Sequence, residues 1–363
     1  MSDGARQFPC ERCGAKVEFA PGTDALKCPY CGSQTHLPSS TEGIEERDFL
    51  EAVAEHLGED AATEEVTSVQ CGSCAALVEP SPSHEAFPCP YCGSSIVARE
   101  KSQRLLKPTA LLPFKIGREQ ATGLFRAWIN KLWFAPDALK KLARLDGRLQ
   151  GVYVPYWTYD ADTASTYTGQ RGDNYTVTRT RTVTRDGKTV RETYQDTQIR
   201  WRPAAGRVFR DFDDVLVVGS KSLPRDLAED AAPWDLKNLV TYADEYLSGF
   251  TAERYQIDVK AGWRRATERM DAVIRGDVRR DIGGDHQRIA TLNTRHADIT
   301  FKHILLPLWI CSYRHQGKIY RFLVNARTGE VQGQRPWSWV KITLAVVAAA
   351  VTAYLLYMVF ERM

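Results

Sequence analysis

Eight cysteines spaced as four C-x2-C pairs constrain this 363-residue chain more than any other feature. The pairs are Cys10/Cys13 with Cys28/Cys31, and Cys71/Cys74 with Cys89/Cys92. Residues 14–27 and 75–88 separate the inner cysteines of the two sets, an equal interval. The second knuckle reads Cys-Pro-Tyr-Cys-Gly-Ser both times, at 28–33 and 89–94. This is the pattern of a duplicated zinc ribbon. Four thiolates close a tetrahedral zinc ion and leave no open ligand position, which makes both zinc sites structural rather than catalytic. Gly14, Gly32, Gly72 and Gly93 are expected to let the backbone turn back toward the sulfurs. A rubredoxin-like iron site shares the spacing. A disulfide framework would need an oxidising compartment, and the first twenty residues contain no apolar signal-peptide core. A unit of about 25 residues buries too little apolar surface to fold alone, so metal binding must contribute to its folding.

Charge narrows the function. Residues 1–98 carry 5 Lys/Arg against 16 Asp/Glu, and the remainder carries 43 against 29. Nucleic-acid affinity comes largely from Lys and Arg neutralising phosphates, so acidic ribbons suit protein partners better. Between the ribbons, Thr41–Gly58 is expected to be a helix with Ile44, Phe49, Val53 and Leu57 on its apolar stripe and Glu45, Glu46, Glu51 and Glu55 outside. It reads as a solvated spacer, or as a surface for a basic partner or the basic remainder of the chain. Glu59–Thr67 is expected to be exposed.

At the other end, Ile342–Phe360 runs 19 residues without a charge. A helix of that length spans roughly 28 Å, close to the hydrocarbon thickness of a bilayer. Trp337 and Trp339 on one side, and Tyr354 and Tyr357 toward the other, suit membrane interfaces. Arg314, Lys318, Arg321, Arg327, Arg335 and Lys341 precede the segment and Arg362 follows it. The positive-inside tendency therefore places the body in the cytosol, with a single-pass tail anchor in the cell membrane.

The expected fold class is multidomain: two small β zinc ribbons (1–38 and 68–100), an acidic helix and linker (39–67), a mixed α+β central body (101–336) and a C-terminal transmembrane anchor (337–363). The body should open at Leu111-Leu112-Pro113-Phe114. A helix near Arg118–Phe134 follows, burying Leu124, Phe125, Trp128, Ile129 and Leu132. After a strand at Gly151–Asp160, the alternating runs Tyr175–Thr184 and Thr189–Trp201 meet at Asp186-Gly187, the signal of a long β-hairpin. A helix over Asp258–Ile282 places Val259, Trp263, Ala266, Met270, Val273, Ile274 and Val278 on one face, and Gly283-Gly284 ends it. Val152–Trp157 and Ile304–Trp309 resemble each other, which suggests an internal duplication or simply two similar buried strands. Cys311 reads as a buried, inert thiol.

Catalytic constellations are missing from the sequence, so no catalytic residue is assigned. Gly187-Lys188-Thr189 is not a phosphate-binding loop, because Thr182 stands where that motif needs glycine. His286, with Asp281 and Asp285 nearby, is the one loop histidine that invites a metal reading, although the spacing requires none. The residues then suggest a resemblance. Phe8–Ser33 and Gln70–Ser95 resemble the general-transcription-factor-B type of zinc ribbon. Through Val154–Asp160, Asp281–Gln287 and Asn325–Val331 the whole chain resembles a bacterial group of membrane-anchored tandem zinc-ribbon proteins. That group is often labelled primosomal protein N-prime or superfamily II helicase. Without an ATP-binding loop the label implies no helicase activity here. The resemblance implies association with flotillin-like or phage-shock-type membrane proteins. The expected function is a non-enzymatic adaptor at the cytosolic membrane face, recruiting protein partners, with a DNA-associated replication or transcription factor as the alternative.

Overall fold

The two look-alike strand segments lie side by side and organise the body. A computed structural model describes residues 8–37, 44–55, 63–79, 86–97, 100–134, 136, 149–185, 188–315, 318–335 and 338–361. The body's strands are β1 (Ala110–Leu111), β2 (Gln150–Arg185), β3 (Lys188–Val218), β4 (His286–His315), β5 (Lys318–Asn325) and β6 (Val331–Gly333). The longer helices of the described residues are α1 (Phe49–Glu55) before the body, α2 (Arg118–Lys131) and α3 (Val259–Ile282) within it, and α4 (Trp339–Glu361) after it. The nine-stranded central sheet runs β3-β2-β4-β1 and on to Val240–Thr241, with β5 paired to β4, β6 to β5, Thr251–Ala252 to β2 and Arg47–Asp48 to β4.

β2 and β4 pair antiparallel, Val154 opposite Leu306 and Tyr156 opposite Ile304. Alternation sends Val152, Val154, Leu306, Leu308 and Ile310 to one face and Tyr153, Leu305, Trp309 and Cys311 to the other. Both faces are buried, which is why these segments read as near-continuous apolar runs. Each face is closed by one ribbon. Val17, Phe19, Leu26 and Leu37 of the first ribbon join Tyr153, Trp309 and Phe125. Val69, Val78, Tyr91 and Ile96 of the second join Val152, Leu306 and Ile310. Main-chain bonds stitch both ribbons on: Gly22 N–H to Phe114 O at 2.9 Å and Phe19 N–H to Ser248 O at 3.0 Å for the first, Glu79 N–H to Ala252 O at 3.0 Å and Arg254 N–H to Leu77 O at 3.1 Å for the second.

The hairpin is far longer than its alternating runs suggest. β2 and β3 stay paired from Tyr156 opposite Val218 to Arg185 opposite Lys188, with one register shift at a bulge between Tyr159 and Ala161, so the expected strand at Gly151–Asp160 is the root of the same hairpin. The intervening residues 161–168 escape a strand reading because their inward positions include the small or hydroxyl-bearing Ala161, Thr163 and Ser165. Thr163 Oγ1 donates to Arg210 O at 2.7 Å and Ser165 Oγ meets Thr294 Oγ1 at 2.8 Å, satisfying these groups within the sheet. Beyond Gly172, where the pairing with β4 ends, 13 residue pairs continue as a two-stranded arm. At about 3.4 Å per residue the arm reaches roughly 40 Å. The expected turn Asp186-Gly187 lies outside the described residues, as do Trp337 and Arg362.

Other expectations are corrected. Among the described residues the acidic helix expected over Thr41–Gly58 is α1, which starts only at Phe49, while 41–43 and 56–58 lie outside the described residues. Arg47–Asp48 pairs with Thr300 and Phe301 at a sheet edge, and Asp48 Oδ1 accepts from Glu51 N–H at 2.7 Å to start the helix there. Leu57 lies outside the described residues. From Thr63 the expected linker is a strand, Thr63–Gln70, paired with Glu100–Leu106, while the exposure of 59–67 lies outside the described residues. α2 stops at Lys131 and buries Ala121, Phe125 and Ile129, with Leu124 and Trp128 half-buried. α3 matches its expected span, with Asp258 capping Ala261 N–H at 2.7 Å and Gly283 ending it at φ 65°. Its stripe corrects one residue: Val273 is exposed, while Gly262 takes a place in the interface. α4 has no buried residue and is long and apolar enough to cross a membrane.

A Cβ on Gly262 would stand 2.2 Å from Tyr159 Oη, whereas one on Gly276 meets nothing within 4 Å. Gly262→Ala should therefore destabilise the body by about 1–3 kcal/mol through overpacking. Gly276→Ala should stabilise it by up to about 1 kcal/mol through helix propensity. Urea unfolding of the two variants checks the opposite signs.

Candidate metal centres

In each ribbon two turns present four sulfurs to one point. Cys10 and Cys31 Sγ lie 3.6 Å apart and Cys13 and Cys28 Sγ 3.5 Å apart. In the second centre Cys71 pairs with Cys92, and Cys74 with Cys89, each at 3.6 Å. Within each centre all four sulfurs lie within 4.8 Å of one another. Zinc–sulfur bonds of about 2.3 Å in a tetrahedron put sulfurs roughly 3.8 Å apart, so each group could hold one zinc ion. The separations are far beyond an S–S bond of about 2.05 Å. The knuckles close by main-chain bonds from Gly14 N–H to Cys10 O at 2.8 Å, Gly32 to Cys28 at 3.0 Å and Gly93 to Cys89 at 2.8 Å. Those three glycines hold φ of 71–73°. The fourth turn corrects the expectation for Gly72: Ala75 occupies the equivalent left-handed position at φ 59°, and its N–H bonds Cys71 O at 2.9 Å. An alanine there carries backbone strain that the glycines avoid.

The centres differ in burial. Cys71, Cys89 and Cys92 are buried within the apolar cluster of the sheet, with Cys74 half-buried beside a cleft of about 530 Å3 lined by Gln70, Lys221, Tyr255, Gln256 and Asp258. In the first centre Cys13 is exposed and Cys31 half-buried. There Ser33 Oγ lies 3.0 Å from Cys10 Sγ and 3.3 Å from Cys31 Sγ. That hydroxyl, followed by the Cys13 and Arg12 main chain, pulls the Cys10 thiol down to about 6.

The repeated Cys-Pro-Tyr-Cys-Gly-Ser knuckle has two fates. Tyr30 is 83% exposed, while Tyr91 is fully buried. Tyr91 O–H donates to Glu253 Oε2 at 2.5 Å, and Arg321 Nε donates to Tyr91 O at 2.9 Å. Glu253 is itself buried, accepting at Oε1 from Ser220 O–H at 2.7 Å and from Ser222 O–H. Burial pushes the Glu253 carboxyl up to about 7, against the opposing hydrogen bonds from Ser222, Tyr91 and Ser220. Glu253 leaves no trace in the sequence, because a single glutamate in Thr-Ala-Glu-Arg-Tyr carries no pattern. His303 is equally silent there. It is enclosed by Trp157 and Tyr255, its Nδ1 lies 3.0 Å from Leu106 O, and burial holds it neutral at about 3.

Charges cross between the acidic and basic parts of the chain. Lys302 Nζ lies 2.9 Å from Glu46, 2.8 Å from Asp214 and 3.9 Å from Asp160. Asp160, Asp213 and Asp214 form an acidic group of metal-binding dimensions, but the Lys302 ammonium already supplies its cation. Arg254 pairs with Glu79 at 2.7 Å across the second ribbon's edge. The acidic segment thus docks on the basic remainder of its own chain.

The remaining sequence candidates are structural joints. Asp281 accepts from Tyr167 O–H at 2.5 Å, Asp285 from Asn174 N–H at 2.7 Å, and His286 Nε2 lies 3.0 Å from Asn174 Oδ1. These bonds tie the turn after α3 to the base of the arm. In Asn325–Val331, buried Asn325 donates to Ala231 O at 2.8 Å and accepts from Arg327 N–H at 2.8 Å, while the Arg327 guanidinium pairs with Asp235 at 2.6 Å. Cys311 is buried in β4.

The chain is similar to the uncharacterized protein YdjG of Bacillus subtilis (strain 168), 25% identical over 340 residues, which is 92% of this chain and 91% of that one. The similarity therefore spans the ribbons and the body together rather than a ribbon alone. No family model matches the chain. No solved structure matches it.

Two outcomes are expected. A thiol-competing chelator should remove the first centre's metal well before the second's, because Cys13 is exposed and three sulfurs of the second are buried. Release followed with a metal-sensitive dye should be biphasic, and Cys13→Ser should abolish only the fast phase. Glu253 in the folded state titrates near 7 rather than at the ordinary 4.5, so the native protein holds the proton more tightly than the unfolded chain. Its contribution to stability is greatest below about 4.5 and declines as pH rises through about 7. Unfolding free energies of Glu253→Gln relative to the unchanged protein should rise across that window.

Proposed function

We propose that the chain is a non-enzymatic, membrane-tethered adaptor that recruits a protein partner at the cytosolic face of a bacterial membrane. The observation that carries this reading is the divergence of two identical knuckles. The second is consumed as a joint, with Tyr91 plugged against Glu253. The first presents Tyr30 almost fully to solvent on a turn that four thiolates make rigid. A rigid exposed tyrosine is the kind of residue that anchors protein interfaces, because little conformational entropy is lost when it is buried. α4 supplies the tether, and anchoring raises the knuckle's effective concentration near other membrane components. The acidic balance of the ribbon segment favours a basic protein surface over nucleic acid. The resemblance to membrane-anchored tandem zinc-ribbon proteins nominates flotillin-like or phage-shock-type membrane proteins as partners.

The test is mass spectrometry of what co-purifies from nuclease-treated membranes with the unchanged protein and with Tyr30→Ala. A partner retained by the former and depleted roughly thirtyfold in affinity with the latter is expected, from an anchor of about 2 kcal/mol. Tyr30 touches little of its own chain, so folding is spared. If the knuckle-dependent association were nucleic acid, removed by nuclease, the DNA-associated reading would replace this one.

A further inference from the structure

Main-chain bonds on both sides of 336–337 hold the start of the apolar helix against the body. β6 pairs with β5, Gly333 opposite Phe322, and Gln334 N–H bonds Arg321 O at 2.9 Å. A Cβ on Gly333 would stand 2.8 Å from Trp128 of α2, so the chain leaving the body is pressed beneath that helix. At the entrance to α4, Ser338 N–H donates to Phe134 O at 2.8 Å, and Ile342 N–H returns to Ser338 O at 3.0 Å. The segment just past α2 is thereby pinned to the first turn of the apolar helix.

This places Trp133 beside the membrane entrance. Residues joined by a main-chain bond have Cα atoms about 5 Å apart, and one more residue adds about 3.8 Å. Trp133 therefore starts on the order of 10 Å from Ser338. It is 79% exposed, and Trp339, the first residue of α4, is 77% exposed. Two large aromatic side chains left in solvent on adjoining elements are costly unless something covers them. Trp prefers the headgroup level of a bilayer, where its ring is buried and its N–H stays wet. Lys131 in the last turn of α2 and Lys341 in the first turn of α4 flank the pair with positive charge suited to anionic headgroups.

We infer that Trp133 is a second membrane contact, seated in the lipid interface beside Trp339, which docks the body against the bilayer in a fixed orientation. The inference rests on α4 spanning a membrane. Its surface is continuous with that span, and its occupant is lipid.

A small fluorescent amino acid introduced in turn at Trp133, Trp339, Ala349 and Tyr194 of the full chain tests it. The protein is reconstituted into nanodiscs of phosphatidylcholine and phosphatidylglycerol carrying nitroxides at shallow or deep acyl positions. Shallow nitroxide should quench positions 133 and 339 at least twofold, deep nitroxide should quench 349, and 194 on the arm should be unaffected. Quenching at 349 with none at 133 would leave the span standing and overturn the docking contact. No quenching at 349 or 339 would overturn the span and the contact with it. Trp133 is exposed, so replacing it leaves the folded core intact.

Discussion

Each ribbon is too small to keep its own apolar residues dry, and that constraint sets the architecture. Val17, Phe19 and Leu26 on one side and Val69, Val78 and Ile96 on the other must be covered by something, and the two faces of the β2/β4 pair cover them. The dependence runs both ways. Without the ribbons the strands bearing Val154, Leu306 and Trp309 would expose both faces of an apolar sheet. Structural zinc sites in small peptides contribute on the order of 10 kcal/mol to folding. Zinc held by the second ribbon would couple such energy to the body, because Cys71, Cys89 and Cys92 lie inside the same apolar cluster as the sheet.

Duplication followed by different burial explains how one motif acquires two uses. The sequence Cys-Pro-Tyr-Cys-Gly-Ser places a tyrosine between two ligands in both ribbons. What happens to that tyrosine depends on the surface opposite it. Glu253, Ser220 and Ser222 build a polar socket for Tyr91 inside the core. Such a network is stable only when every member is satisfied, and so it fixes one docking geometry. Tyr30 lies free of such enclosure, and its exposure is a property of the assembled chain rather than of the ribbon.

Legibility follows the range of the interaction. The two four-cysteine sets, the apolar α4, the Asp258 cap and Gly283 stop of α3, and the arm's alternating strands are local signals, readable from spacing within a few residues. α1 starts later than its pattern because Thr300 and Phe301 of a distant strand capture Arg47–Asp48 and override the periodicity before Phe49. Residues 161–168 hide their strand because their inward positions include small or hydroxyl-bearing residues, with Thr163 and Ser165 satisfied by partners far along the chain. Glu253 and His303 are invisible for the same reason: each is a single residue whose meaning is supplied by neighbours from distant segments.

The charge asymmetry also changes meaning once the contacts are known. An acidic end and a basic end in one chain suggest an exposed acidic surface awaiting a partner. Yet Glu46 and Glu79 are held by Lys302 and Arg254 of the same molecule. Lys302 is almost wholly buried and faces Glu46, Asp160 and Asp214, so its cation is compensated by several carboxylates rather than one. Removing only the lysine would leave partly buried like charges facing each other, which is costlier than losing an exposed pair. Part of the acidic excess is therefore internal cement between the N-terminal segment and the sheet. The solvent-facing part of the first ribbon, where Tyr30 stands, stays open to the partner proposed above.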